Sequence, residues 1–525
     1  MSFRRGAGFL ALAVSALLVG CSTGSTGGTT SGNLTVGYEA DATSLDAAQP
    51  TDINTMQVLT QMYDTLVQWG TDKNLQPGLA TDWKTSSDGL TYTFNLRSGV
   101  KFANGDPLTA DDVAFTFDRM LDQNSPGYQY GPFPFGAFFF GAIKQSKAVS
   151  PTQVELSLSS PDAGFLASLT VITAGIVDKK AALAAGKDFA NTGMGSGPFM
   201  LDKWTRGQQL VLKVNPNYWG PKPKLSSITW LPIVQPNQRS VELKSGDINL
   251  ALNPTPATLA DLKSQGFAVN MAAGPHVWWV GVNISKPPFN KVEVRQAMNY
   301  AIDRNAIVKG ILYDTGVPAN QPLAPGQVGF NANVDNYDYN PTKAKQLLAA
   351  AGYPNGFTTT MLVPTSGSGM QEPQAMGTAI QGYLKAIGIT VNIQEIEWGT
   401  FLNKIGQGAQ KANMDMWELS WMDSAVDPWL VLNPLLVKGS WPPGYNTGFY
   451  ENPEVDRLLT AGLAEQDPQK RDQLYQQAEA LINKDAAWIF VDHAKEVVVT
   501  DKSVQNFALN PVFPFLIHLR DVGRS

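Results

Sequence analysis

Two carboxylates set four residues apart, Asp423 and Asp427, fall near the end of the tryptophan-rich stretch WELSWMDSAVDP at positions 417–428. Such a pair could act as the general acid and general base of a hydrolase. The rest of that equipment is missing: the body after the first 33 residues holds no Gly-x-Ser-x-Gly elbow, and the sequence has no His-Glu-x-x-His pair. Three histidines, His276, His493 and His518, lie far apart, and none has metal-ligand spacing. Cys21 is the only cysteine, which excludes a disulfide framework and any Cys-based zinc site. No metal site and no cofactor is expected. What the chain has in abundance is aromatic: 13 Trp, 15 Tyr and 24 Phe suit a large core or an apolar pocket.

Elements must hold these groups in place. A chain of 525 residues suggests more than one domain, at roughly 100–200 residues each. Hydrophobic residues at 43% place it among folded globular proteins. The net charge is −6 and no basic block stands out, so nucleic acid is not an expected partner.

The first residues read as an address. Arg4 and Arg5 precede a short apolar run from Phe9 to Leu18, the layout of a secretory signal over residues 1–20. The sequence Leu18-Val19-Gly20-Cys21 resembles the bacterial lipobox, in which the cysteine receives a diacylglycerol and becomes the first residue of the mature chain. More than one acyl chain gives stable membrane anchoring. Residues 21–33, nearly all Gly, Ser and Thr after the cysteine, read as a flexible tether. The expected location is therefore extracytoplasmic, with Cys21 as lipid anchor.

Along the body, strands and helices alternate, which predicts α/β architecture with substantial parallel sheet. Residues 34–38 and 91–96 alternate as strands, and 389–396 reads as another. Helical spacing predicts helices over 56–67, 292–311, 372–387, 453–466 and 468–484. Asn340-Pro341 caps and opens a helix that Gly352 stops. No long linker follows residue 33, so the lobes share short connections, an arrangement that favours hinged closure.

The stretch Leu79–Arg119, LATDWKTSSDGLTYTFNLRSGVKFANGDPLTADDVAFTFDR, closely resembles the signature of the family 5 extracellular solute-binding proteins, the peptide, nickel and oligosaccharide receptors of bacterial ABC importers. In family order follow Gly195-Ser196-Gly197-Pro198-Phe199, Asn215-Pro216-Asn217-Tyr218-Trp219, Val294-Arg295-Gln296-Ala297, Ala301-Ile302-Asp303-Arg304 and Asn452-Pro453-Glu454-Val455-Asp456. The resemblance implies a two-lobed periplasmic-binding-protein-like fold (type II, cluster C) with an extra subdomain inserted in lobe I. Lobe I is expected at 34–280 plus 495–525, its insertion at about 78–190, and lobe II at 281–494. The chain would cross between lobes near 280–283 and 492–498.

The resemblance also places the ligand. Peptide-binding members resemble W-x-x-D-x-x-D-P where this chain has Trp421-Met422-Asp423-Ser424-Ala425-Val426-Asp427-Pro428, with the first Asp pairing with the peptide's amino group. Here Ser424 holds that position and Asp423 sits one residue early. Dipeptide binders add an arginine before the helix at Glu372 to hold the peptide carboxylate; positions 364–369, PTSGSG, carry none. Trp398 and Trp421 fall where members line the cleft, Trp278 and Trp279 flank the hinge, and Tyr38 ends the first strand; all are candidates for stacking or apolar packing. The run FPFGAFFF at 133–140 reads as subdomain core or a pocket wall. The expected contacts are thus Tyr38, Trp279, Trp398, Trp421, Met422, Asp423, Ser424 and Asp427. The implied function is an ABC-importer receptor, not an enzyme, that captures an oligopeptide and delivers it to permease subunits. An oligosaccharide is the alternative solute, nickel is disfavoured by the scarcity of histidine, and a secreted hydrolase or an adhesin without a cleft are the readings from other classes.

Overall fold

The computed structural model describes residues 32–525 apart from Ser368. The expected signal, Cys21 and most of the tether lie outside the described residues. One 11-stranded sheet runs through the body. Its order begins Ile389–Ile396, Phe357–Pro364, Met416–Met422, and then reaches two long central strands, Ala268–Val282 and Ile489–Thr500. It continues through Leu250–Leu252, Asn33–Tyr38, Ser227–Pro232, Gln209–Val214 and Phe199–Thr205.

The two outer regions of the sheet contain parallel pairs, Phe357–Pro364 with Ile389–Ile396 on one side and Asn33–Tyr38 with Ser227–Pro232 on the other. The centre is antiparallel. The sheet is therefore mixed, with less parallel pairing than the strand–helix alternation predicts. The cause is that the chain returns along the same two central strands instead of adding strands by crossover on one side.

Each side of the sheet has its own core. Leu34, Val36, Trp230 and Leu250 pack in one, and Val280, Met298, Ile380 and Ile489 in the other. A third core surrounds a separate four-stranded antiparallel sheet, ordered Ala80–Thr85, Thr91–Leu96, Gln153–Leu158, Ile143–Ser150. Period-2 alternation sends Tyr92, Phe94 and Leu96 inward, and the Ala110–Leu121 helix covers them with Val113 and Phe117. That helix opens as its sequence suggests, with the Asp112 carboxylate accepting the Thr109 N–H at 2.8 Å. Ala425 and Leu430, from the far side of the molecule, also enter this third core.

Two elements differ from expectation. The helix predicted over 292–311 is two, Val292–Ala301 and Arg304–Gly310. Asp303 splits them, because its carboxylate accepts the Ala306 N–H at 2.9 Å and caps the second. The helix predicted over 56–67 spans only Ile53–Leu59, and Val67 already belongs to a short strand. Among the described residues no helix is long and apolar enough to cross a membrane.

The core carries an electrostatic burden. Glu418, on Met416–Met422, is fully buried with neither carboxyl oxygen hydrogen-bonded. Burial pushes it well above the usual carboxylate range. The folded state therefore keeps a proton that the unfolded chain releases near its ordinary value, so this contribution to stability is lost as pH rises. Glu418→Gln removes the loss: calorimetry is expected to show a larger gain in Tm near about pH 8 than near about pH 5.

Candidate functional site

A cavity of about 520 Å³ lies between the lobes, within the roughly 300–1,000 Å³ typical of sites for small organic ligands. One wall comes from the first half of the chain: Ile53 and Met56 at the start of a helix, with Phe135, Phe138 and Phe139. The facing wall is built from Trp398, Leu402, Leu419, Trp421, Leu430 and Tyr445. The lining is mainly apolar and aromatic.

The local structure explains who faces inward. Met416–Met422 pairs with Ala268–Val282, setting Met422 opposite His276 and Trp421 opposite Val277. Just past this strand, the Asp423 N–H donates to the Pro275 carbonyl at 2.8 Å. Gly369 approaches the same spot; a Cβ there would stand 2.9 Å from His276 Nε2 and 3.0 Å from Ser420 Oγ, and its φ of +73° suits glycine. The Trp421 indole donates to the Leu430 carbonyl at 3.1 Å, which fixes the ring. Its ring centroid lies 5.3 Å from that of Tyr445 and 6.1 Å from that of Phe138. Phe138 and Trp421 come from opposite walls, so this contact is part of the closure.

Asp423 is the charged group of interest. It is buried and lines the cavity. Gln327 Nε2 donates to its Oδ2 at 3.1 Å, while Oδ1 has no partner. Burial, and then the neighbouring Asp427, push its carboxyl well above the usual range. Among the described residues no lysine or arginine lines the cavity. His276, the one basic side chain there, is pushed down to about 4 by burial, so it is neutral at neutral pH. Among the described residues no group of three or more His, Cys, Asp or Glu is placed to hold a metal ion.

Of the expected contacts, Trp398, Trp421, Met422, Asp423 and Ser424 line the cavity together. Three lie elsewhere. Tyr38 is fully buried, edge-on to Trp230 at 5.3 Å, with its hydroxyl donating to Asp41. Trp279 stacks on Trp488 at 4.1 Å inside a core, because its neighbours on the strand already fill the sheet face. Trp278 is buried in that core too. Asp427 is turned away and held by Arg471 at 2.7 Å. The two carboxylates thus do not converge on one space, which removes the geometric basis for an acid–base pair. Sequence reasoning missed His276, Leu402 and Tyr445. No pattern around Tyr445 announces it, since it sits in the irregular segment after 437. The Phe133–Phe140 run divides its work: Phe140 is core and Phe138 is wall.

The sequence profile described as bacterial extracellular solute-binding proteins, family 5 Middle, matches residues 74–443. The chain belongs to this family. Similar proteins include the glutathione-binding protein GsiB of Escherichia coli O6:K15:H31 (strain 536 / UPEC), 30% identical over 484 residues, covering 91% of this chain and 92% of GsiB. Heme-binding protein A of Haemophilus influenzae is 32% identical over 470 residues, covering 86% and 85%. Among solved structures, the ABC transporter-associated periplasmic binding protein DppA from Helicobacter pylori, in complex with peptide STSA, superposes with a TM-score of 0.82 at 30% identity, covering 94% of this chain and 99% of DppA. The family 5 receptor has the two-lobed α/β architecture of these periplasmic binding proteins. Its relatives are receptors rather than enzymes, and family members act outside the cytoplasm. Glutathione, heme and a peptide are what these relatives are named for, which leaves the oligosaccharide expectation without support.

The seam beside the cavity is tightly fitted. The Ala163 N–H donates to the Leu463 carbonyl at 2.9 Å. A Cβ on Gly164 would stand 2.5 Å from Asp427 Oδ2. Burial first, and then Asp427, push Asp162 up to about 6. Gly164→Ala is expected to wedge this seam without touching the cavity. Its ligand affinity should fall by about an order of magnitude as the closed population shrinks, and small-angle scattering should show a larger radius of gyration.

Proposed function

We propose that this family 5 receptor captures a short oligopeptide between its lobes and delivers it to the permease subunits of an ABC importer, held at the membrane by a lipid on Cys21. One observation carries the reading. Asp423 lines the cavity, and one oxygen of its buried carboxylate has no hydrogen-bond partner. A buried charge without a partner is costly, and a ligand ammonium would supply the partner. The aromatic walls would take apolar side chains. Asp423 does this although it stands one position earlier than the peptide-binding pattern, because it leaves the strand at Met422 and turns back to the Pro275 carbonyl. The lobes would close on a bound peptide by a population shift, the ligand's preference for the closed form setting its extent.

Asp423→Asn is expected to weaken peptide binding at least about tenfold, measured by calorimetry against pooled apolar peptides. The same change should raise the Tm of the empty protein at neutral pH, since a carboxyl raised in the folded state lowers stability as pH rises. Unchanged affinity would remove the carboxylate from the site.

The pH dependence has a definite sign. The empty site favours the protonated carboxyl, whereas a bound ammonium favours the carboxylate, so affinity should rise with pH. Between about pH 5 and 7 a peptide amine of pKa about 7.7–8.0 stays charged. A rise over that window, flattened in Asp423→Asn, is the expected result. Cys21→Ala should shift the receptor from the membrane fraction to the soluble fraction.

A further inference from the structure

We propose that the solute enters this cavity without a carboxylate: it is an apolar peptide with one ammonium group and an uncharged carboxyl end, amidated, esterified or cyclised. The inference rests on Asp423 receiving the ammonium and adds what the opposite end of the ligand must be.

A carboxylate taken out of water needs cations or free N–H donors. Among the described residues the cavity lining offers no lysine and no arginine, and its histidine is neutral. Helix N-termini are the remaining natural anion sites, through their unpaired first-turn N–H groups. Two helices, Ile53–Leu59 and Trp398–Gln407, begin at this cavity and a third, Trp429–Leu436, begins beside it, and a carboxylate of the chain accepts first-turn N–H groups at each. Asp52 Oδ1 accepts the Thr55 N–H at 2.8 Å. Glu397 accepts the Gly399 and Thr400 N–H groups at 2.8 and 2.9 Å, and those bonds hold it below the usual carboxylate range, so it stays ionised. Asp427 Oδ1 accepts the Trp429 N–H at 3.0 Å. These first-turn N–H groups are thus taken, by Asp52 in the cavity wall, by Glu397 on the exposed surface beside it and by Asp427 turned onto Arg471. A ligand carboxylate in this cavity would meet Asp52, Asp423 and apolar rings.

The test is calorimetric titration of the purified receptor near neutral pH with matched pairs. Phe-Leu amide is compared with Phe-Leu free acid, and 2-phenylethylamine with phenylalanine, which is the same amine bearing a carboxylate. N-acetyl Phe-Leu amide controls for the ammonium. The amide should bind at least about tenfold more tightly than the acid, and the amine than the amino acid. A free acid that binds as tightly as its partner, or more so, overturns the proposal while leaving Asp423 as the ammonium site. Acetylated amide equal to free amide overturns the ammonium reading itself, and the exclusion with it. Binding confined to the amine pair, with the amine favoured, supports the exclusion and refutes a peptide solute. No binding in any arm overturns both. Leu402→Arg is the converse variant. Leu402 lines the cavity at 45% exposure, so a guanidinium there keeps access to water. It should close most of the gap between acid and amide; a gap left unchanged by a folded Leu402→Arg protein, judged by its melting curve, would count against the electrostatic cause.

Discussion

Everything in this molecule hangs on one antiparallel ladder, Ala268–Val282 against Ile489–Thr500, and on the place where it is interrupted. Pairing is regular from Ala268 opposite Thr500 to Ala273 opposite Lys495, breaks, and resumes with Val277 opposite His493. The residues Gly274, Pro275 and His276 stand against a single residue of the partner strand, a bulge of the kind that bends a strand and re-aims its side chains. The bulge releases the Pro275 carbonyl, which takes the Asp423 N–H, and it turns His276 to the cavity. This bulge, the first of two register shifts in the ladder, therefore sits where the chain passes between cores and also sets where the buried carboxylate stands. Mobility between lobes and the placement of the charge cannot be varied independently.

That placement makes the empty protein electrostatically unfinished. Asp427 is satisfied by Arg471 and by the helix start it caps. Asp423, four residues earlier, has one weak amide partner and a bare oxygen. Functional sites commonly hold groups that lower the stability of the unliganded state. Under the proposed function a ligand would remove this burden, unlike that of Glu418, which does not line the same cavity and whose Oε1 lies against Gly377.

Most of the frame was legible in the sequence, for physical reasons that differ by element. Asn340-Pro341 and Gly352 bracket a helix because caps act locally, and Gly352 does adopt a φ of +90°. The break at Asp303 was equally local, yet the apolar stripe on either side of it masks the cap. The mixed pairing of the central strands was not legible, since it depends on partners more than two hundred residues apart. At the site, the contiguous run Trp421 to Ser424 was found through its motif, and Trp398 through its family position. Tyr38 and Trp279 show the limit: an aromatic beside a predicted hinge is as good a core residue as a ligand contact until its stacking partner, Trp230 or Trp488, is known. His276 was set aside as structural for lack of metal spacing, and spacing says nothing about a cavity wall assembled by a bulge.

The relatives named for glutathione, heme and a peptide share about a third of their residues with this chain. One frame thus tolerates solutes of very different charge, and the part free to vary is small. Helices start at the cavity because the strands that feed them end there, which is a property of the sheet and not of the solute. What each helix start offers depends on one side chain. A capping Ser or Asn would satisfy the same N–H groups without negative charge, whereas the chain uses Asp52, Glu397 and Asp427. Asp427 must be an acid to satisfy Arg471, but stability alone does not require one at Asp52, since uncharged caps rank with Asp in strength. Asp52, the one of these acids in the cavity wall, differs from an uncharged cap chiefly in the negative charge it sets at the cleft, and the proposed preference for an ammonium over a carboxylate rests on that charge rather than on the shape of the walls.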